Sequence, residues 1–109
     1  MKNYPNYQIN MVKGDTCSFG LVFEGLGQDL DTAFLTVKKN PLDSDPIFQL
    51  SLGSGITKQD DDNYVVRIIP ENTAELDAGQ YPFDVQIGVN GDIFTIMLGI
   101  IVLSQDVAD

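Results

Sequence analysis

The feature that most constrains the fold is a strict alternation of apolar and polar residues in short segments, each closed by turn-forming residues. The clearest segment spans residues 81–87, where every second residue is apolar: Tyr81, Phe83, Val85 and Ile87. Successive side chains of a strand point to opposite faces, so this pattern predicts a β-strand with one buried face. Asn90-Gly91 then follows, the dipeptide most typical of a two-residue hairpin turn.

The same alternation recurs along the chain and predicts seven or eight strands. They are expected over residues 4–12, 16–24, 33–38, 47–52, 64–69, 81–87 and 93–103, with a brief extra segment at 56–58. Val, Ile and Thr together number 25 against 4 Ala, a composition that favours strands. The one helix-like piece is 70–78, with Pro70 at its start, Asn72 or Thr73 as a cap and Gly79 at its end.

Short strands with turn signals every 8–12 residues or so are typical of a β-sandwich. We therefore predict one all-β domain over residues 1–109. Its fold is expected to be an immunoglobulin-like β-sandwich of about seven to eight antiparallel strands, with one short helical turn before a tyrosine corner. A partly closed barrel would give the same periodicity, and the strand order stays open at this point.

Charge and residue inventory exclude several classes of function. The net charge of −10 repels phosphate and anionic lipid, so we expect neither nucleic-acid nor membrane binding. The chain has no histidine and one cysteine, which removes histidine triads and thiolate zinc sites. We expect no cofactor, no metal and no enzymatic activity. The start of the chain has no apolar signal-peptide region, which predicts synthesis in the cytoplasm.

A structural corner is the most informative local motif. Asp77, Gly79, Tyr81 and Phe83 have the spacing of the corner that leads into a late strand of immunoglobulin-type domains. This predicts a largely buried Tyr81 whose hydroxyl bonds to main chain in the 70–77 segment. Cys17 lies on an early strand and is expected to be a small buried apolar residue.

A wider stretch around the corner has a recognisable pattern, because residues 73–87 read T-A-x-L-x-x-G-x-Y-x-F-D-V-x-I. Further matching segments are Lys13-Gly14-Asp15, Asp29-Leu30-Asp31, Asn90-Gly91, residues 98–102 and Asp106-Val107. Over most of its length the chain thus resembles sandwich domains of phage and prophage tail or baseplate proteins, especially the N-terminal domain of baseplate upper proteins. This resemblance implies a structural virion protein, assembled with other phage proteins and without catalytic residues.

The acidic clusters have a metal interpretation and a simpler one. Residues 60–63, Asp29 with Asp31, and Asp43 with Asp45 could offer oxygen ligands to Ca²⁺. Neighbouring carboxylates of a loop point in different directions, so solvated loops are the expectation. Glu24 and Asp84 both fall on predicted strands, and nothing brings either next to a second acid as glycoside hydrolysis requires.

The last strand is apolar on both faces, although a two-layer sandwich buries one face of each sheet. One interpretation is an interface with another subunit, formed by Ile93, Ile96, Leu98, Ile100 and Val102. The other is that the chain crosses between sheets at Gly99, which would switch the inward face there. Both interpretations stay open from the sequence.

These observations predict a non-catalytic structural module of a phage or prophage virion that acts by protein–protein assembly and forms a homo-oligomer. An alternative is a small adhesive or carbohydrate-binding module, for which Tyr4 and Tyr7 would supply the aromatic surface. A non-catalytic domain of a larger enzyme is a third interpretation.

Overall fold

A computed structural model describes residues 6–105 of the chain as eight strands and one helical turn. Their bounds are β1 (Asn6–Val12), β2 (Cys17–Val22), β3 (Thr32–Val37), β4 (Phe48–Leu52), β5 (Gly55–Asp60), β6 (Asn63–Ile68), α1 (Pro70–Thr73), β7 (Gly79–Val89) and β8 (Asp92–Ser104). The all-β class is confirmed, and the brief segment at 56–58 is the centre of a full strand, β5.

All eight strands belong to one mixed sheet, in the order β1-β8-β7-β3-β4-β5-β6-β2. The sheet rolls up so that a five-stranded half, β1-β8-β7-β3-β4, packs over a three-stranded half, β5-β6-β2. Buried residues from both halves form one hydrophobic core. The result is a sandwich that is nearly a barrel, which accommodates both architectures that the periodicity allows.

Two of the pairings are parallel, and here the prediction of antiparallel strands is wrong. β1 lies parallel to β8, and β4 lies parallel to β5 over the pairs Ser51–Gly55 and Leu52–Ile56. Parallel neighbours normally need a long connection, which β1 and β8 have. β4 and β5 are instead joined by a tight corner, in which Gly53 and Gly55 adopt φ values of 90° and 101°.

The core consists mainly of alternating residues on the strands, one face of each strand being buried. They include Ala33, Leu35, Val37, Leu50, Ile56, Tyr64, Val66, Ile68, Phe83, Val85 and Ile87. Tyr64 is 1% exposed, and its hydroxyl accepts a hydrogen bond from the Leu30 N–H at 3.0 Å. The buried polar group therefore has its partner, and it ties the loop before β3 to the middle of the core.

The helical turn is shorter than predicted, because α1 ends at Thr73 rather than Ala78. Asn72 caps it, since its Oδ1 accepts the Ile69 N–H at 2.8 Å. The Thr73 side chain is buried, and its Oγ1 accepts the Gly14 N–H at 2.9 Å. This hydrogen bond anchors α1 to the β1–β2 turn, while Gly79 begins β7 instead of ending a helix.

Candidate functional site

The tyrosine corner is a structural feature at the start of β7. The Tyr81 hydroxyl donates a hydrogen bond to the Asp77 carbonyl oxygen at 2.6 Å, the contact that the spacing predicts. Phe83 is 4% exposed and points into the core. Tyr81 itself is only half-buried, contrary to prediction, because it lies near the first residue of β7, at the end of the sandwich. The corner holds the fold and presents no reactive group.

The faces of β8 follow from the residues opposite it on β7, since directly opposed residues of an antiparallel pair share a face. Ile101 and Met97 lie opposite Tyr81 and Val85, and therefore face the core. Four apolar residues lie opposite outward positions of β7 and point away from the core: Ile93, Leu98, Ile100 and Val102. We call these four residues the outer stripe.

The fifth predicted interface residue, Ile96, belongs elsewhere. The register between β7 and β8 shifts at this point, because Val85 opposes Met97 while Gln86 opposes Thr95. Ile96 therefore lies in a β-bulge, and its side chain packs against the core. The inward parity of β8 shifts at this bulge and not at Gly99.

The proposed crossing between sheets at Gly99 is wrong, since β8 pairs with β7 along its length from Asp92 to Leu103. Gly99 has a different role. It is the partner of Tyr7 on β1, and a Cβ placed on Gly99 would overlap the Tyr7 carbonyl oxygen. Only a glycine lets β1 approach β8 this closely.

The surroundings of the outer stripe contain little charge. Gln8 and Asn10 flank it on β1, and Gln80 and Pro82 flank it on β7. Asp84 lies opposite Leu98, and burial raises the pKa of its carboxyl group while Lys38 lowers it more weakly. Ile93 is 64% exposed and the other three members of the stripe are half-buried. A low-charge apolar patch of this kind is typical of the core of a protein–protein interface.

Several acidic residues of the predicted clusters contact backbone N–H groups or a lysine. Asp31 Oδ2 accepts the Asn90 N–H at 2.9 Å, and Asp43 Oδ2 accepts the Asn40 N–H at 3.1 Å. Lys58 Nζ lies 2.5 Å from an Asp29 carboxylate oxygen and 3.8 Å from one of Asp61. The carboxylates therefore hold loops together at the surface through backbone and lysine contacts.

The pair considered for glycoside hydrolysis is not assembled. Asp84 lies on the outer face of β7, in the five-stranded half. Glu24 follows the end of β2, in the three-stranded half, and is exposed. The two carboxyl groups belong to separate parts of the rolled sheet and do not face a common cleft.

A second apolar surface lies where the rolled sheet fails to close. β1 and β2 are the two edges of the sheet, joined by the turn at Lys13-Gly14-Asp15. A groove of about 660 Å³ opens between them. We call it the seam, and its lining includes six residues: Tyr7, Ile9, Cys17, Phe19, Phe23 and Met97.

Sequence reasoning missed the seam, and it placed Cys17 in the core. Cys17 is half-buried at the edge of the core, and burial raises the pKa of its thiol. Tyr7, a candidate for a sugar-binding surface, is 41% exposed and lines this groove. Tyr4 and Asp106-Val107 lie outside the described residues. One signal could have pointed here, because neither β1 nor β2 contains a charged residue or a proline.

Residues 6–105 contain no cluster of three potential metal-ligating side chains from His, Cys, Asp or Glu. No helix in this part of the chain has the length and apolar character needed to cross a membrane. In the comparisons with known proteins, no family model matches the chain and no curated protein matches it in sequence. Function is therefore inferred from the outer stripe and the seam.

Proposed function

We propose that the chain is a non-catalytic structural module of a phage or prophage tail or baseplate, which acts in the virion by protein–protein assembly. The single observation on which this rests is the outer stripe. It is an apolar band on the outer face of a sheet, where a two-layer fold leaves side chains uncovered. The motif likeness across residues 73–87 supports the phage context.

The proposed mode of assembly is self-association through the outer stripe. Leu98, Ile100 and Val102 alternate along β8 and present a ridge to a partner, while Ile93 lies on the same face beyond Thr95 and the bulge. The net charge of −10 opposes random aggregation, which favours a specific partner over indiscriminate sticking. Asp84 lies beside the outer stripe. A charged residue at the rim of an interface helps to fix the orientation of the partner.

Sedimentation equilibrium of the chain at low and high salt tests this proposal. Like-charged subunits repel through solvent, and the Debye length falls from about 30 Å at 0.01 M salt to about 3 Å at 1 M. Self-association through apolar contact should therefore strengthen as salt rises. A chain that is monomeric at every salt concentration would contradict self-association and leave a different protein as the only partner.

A double variant, Ile93→Thr with Ile100→Thr, ties the association to the outer stripe. Threonine keeps the strand propensity while it removes apolar surface, so the association should weaken at least about tenfold. Val65→Thr is the matched control, because Val65 is on the outer face of β6 in the three-stranded half. Equal loss in both would show that the outer stripe is not the interface.

The phage assignment needs its own test. Co-purification of the chain with assembled tail or baseplate particles of a phage or prophage that encodes it is the expected result. Binding to an array of glycans, abolished by Tyr7→Ala and absent with protein partners, would instead favour the adhesive module.

A further inference from the structure

We propose that the seam is an acceptor for one extended segment of a partner protein, which adds a strand to the free edge of β2. The occupant that we infer has apolar side chains at every second residue and basic residues at its N-terminal end. This goes beyond assembly through the outer stripe, which lies on the opposite face of β8, and it rests on different observations.

The first observation is a line of core positions that residues 6–105 leave only partly covered. Ile9, Cys17, Phe19, Phe23 and Met97 pack against the core, yet each is only partly buried. The matching inward positions of central strands are fully buried, as at Leu35, Val66 and Val85, each 0% exposed. One added strand with inward apolar side chains would cover this line.

The second observation is the state of the two edges. Edge strands of soluble proteins are normally protected by charged residues, proline or bulges. Charged residues make up 20% of the chain, yet the thirteen residues of β1 and β2 include none, and no proline either. Both edges are therefore chemically ready to pair with another strand.

The free backbone groups of β2 can be assigned from one hydrogen bond. The Phe23 N–H donates to the Asp62 carbonyl oxygen at 2.8 Å, on the side of β6. Backbone groups along a strand point alternately to its two sides. Ser18, Gly20 and Val22 therefore direct their N–H and C=O groups to the free edge, where an incoming strand would bind them.

The charge at the open end of the seam indicates which kind of partner segment would bind there. The seam is closed at the β1–β2 turn, and its other end reaches Phe23, which is followed by Glu24. Asp29, Asp61 and Asp62 line a neighbouring hollow. Within residues 6–105 the ion pairs of these four carboxylates involve one ammonium group, that of Lys58, so an excess of negative charge remains.

The direction of the occupant follows from this charge and from strand pairing. β2 runs from Cys17 towards the acidic end, and an antiparallel partner would begin there. Antiparallel pairs are slightly more stable per residue than parallel ones. The N-terminal part of the partner strand would thus meet the carboxylates, which favours basic residues there and disfavours a second copy of this chain, itself at −10.

The test uses the full chain and a synthetic probe peptide of two arginines followed by three valine–threonine pairs. Isothermal titration calorimetry measures its affinity. Three control peptides keep the length: one begins with two glutamates, one carries N-methyl groups on the backbone amides of its valines, and one carries them on the backbone amides of its threonines. We expect the arginine peptide to bind, the glutamate peptide to bind at least about tenfold more weakly, and one N-methylated version to lose binding.

Variants of the protein locate the site on β2. Val22 is 71% exposed on the edge, so Val22→Lys adds a protecting charge there and should weaken peptide binding at least about tenfold. Leu42→Lys makes the same change on a loop residue that is 97% exposed, and should leave the affinity unchanged. Ile93→Thr with Ile100→Thr should also leave it unchanged, which separates the seam from the outer stripe.

Amide hydrogen exchange by nuclear magnetic resonance provides a readout that is independent of affinity. The amides of Ser18, Gly20 and Val22 should exchange rapidly in the free chain and become at least about tenfold slower with the arginine peptide. Protection before any peptide is added would mean that the seam is already filled, by this chain or a second copy, and would overturn the proposal. Absence of binding at millimolar arginine peptide, or binding that Val22→Lys does not weaken, would overturn it as well.

Discussion

The roll of the sheet is closed on one side and open on the other, and the two sides differ in how the chain connects them. At the β4–β5 corner the linking residues are Gly53 and Ser54, so the two strands are forced together and pair. At the β1–β2 side the linking turn joins the strands at one end, and the seam lies between them and extends to Phe23. β4 and β5 are thus hydrogen-bonded to each other, whereas β1 and β2 share a turn and remain the two edges of the sheet.

The inward side chains beside the closed corner and beside the open seam also differ in how deeply they are buried. Ile56 beside the closed corner is 0% exposed and Leu50 is 6% exposed. Phe19 and Ile9 beside the seam occupy equivalent inward positions and remain half-buried. Alternation therefore decides which way a side chain points, while closure of the sheet decides whether anything covers it.

The largest effect is expected when each side loses one large inward residue. Ile56→Ala should lower the free energy of unfolding by about 3–5 kcal/mol, because it empties a fully enclosed site. Phe19→Ala should lower it by only about 1–2 kcal/mol, since the seam already leaves that ring partly in water. Urea denaturation of both variants measures the difference. Equal losses would show that the seam is as well covered as the corner.

The next effect concerns the two edges and their glycines. Gly99→Ala should cost about 2 kcal/mol, because its Cβ would push against the Tyr7 carbonyl and displace β1 from β8. Gly20→Ala on β2 is the control, since its Cβ would meet only the Tyr64 carbonyl oxygen at an ordinary 3.8 Å. Thermal unfolding should show little change for the control. A loss at Gly20 equal to that at Gly99 would contradict this difference between the edges.

A smaller effect separates the centre of the core from its open end. Tyr64→Phe should cost about 1–3 kcal/mol, because it leaves the buried Leu30 N–H without its partner. Tyr81→Phe should cost about 1 kcal/mol, since the Asp77 carbonyl can turn to water instead. Chemical denaturation compares the two variants, and a larger loss at Tyr81 would refute the ranking.

The smallest effect is expected at Asp84 on the outer face of β7, which forms neither the β4–β5 corner nor the seam. Burial raises the pKa of Asp84 in the folded state, so the native chain holds this proton more tightly than the unfolded chain. The contribution of Asp84 to the free energy of unfolding is therefore fully present below the ordinary carboxyl pKa of about 3.9. It is lost as the pH rises through the raised pKa of the folded state.

Asp84→Asn should therefore raise the melting temperature slightly at neutral pH and show no gain near pH 3, about one unit below the ordinary carboxyl pKa. Thermal unfolding of the variant and the parent across this pH range measures the effect. A lower melting temperature at neutral pH would mean that the charge of Asp84 stabilises the fold, with the attraction of Lys38 outweighing burial, and would contradict the expected sign.

Most of the strands and their inward faces could be predicted from the sequence, because they depend on local properties. Alternation at residues 33–37, 64–68 and 81–87 divides each strand into two faces, and in the structure one of the two is buried, apart from the half-buried Tyr81. Asn90-Gly91 identifies the β7–β8 hairpin because both residues need positive φ, and they have φ values of 54° and 82°. The helical pattern that continues to Ala78 predicts too long a helix, whereas α1 ends at Thr73, whose buried side chain bonds to the β1–β2 turn.

The two candidate surfaces also differ in how far the sequence predicts them. Two-sided apolarity of the last strand predicts an outer stripe, and four of its five residues face outward. The fifth, Ile96, could not be assigned, because the bulge at this point follows from pairing with β7 and has no local signature. The uncharged, proline-free sequences of β1 and β2 are compatible with an open edge, but only the sheet order brings these two strands to either side of the seam.

Strands, their buried faces and the tight turns follow from the amino-acid sequence alone, because each depends on residues that are neighbours along the chain. The sheet order, the parallel pairing of β1 with β8 and the place where the roll stays open emerge only in the folded domain. Those features depend on contacts between segments that are distant along the chain. The entropy lost when such segments are brought together, and the packing gained, are properties of the whole domain and not of any single stretch of residues.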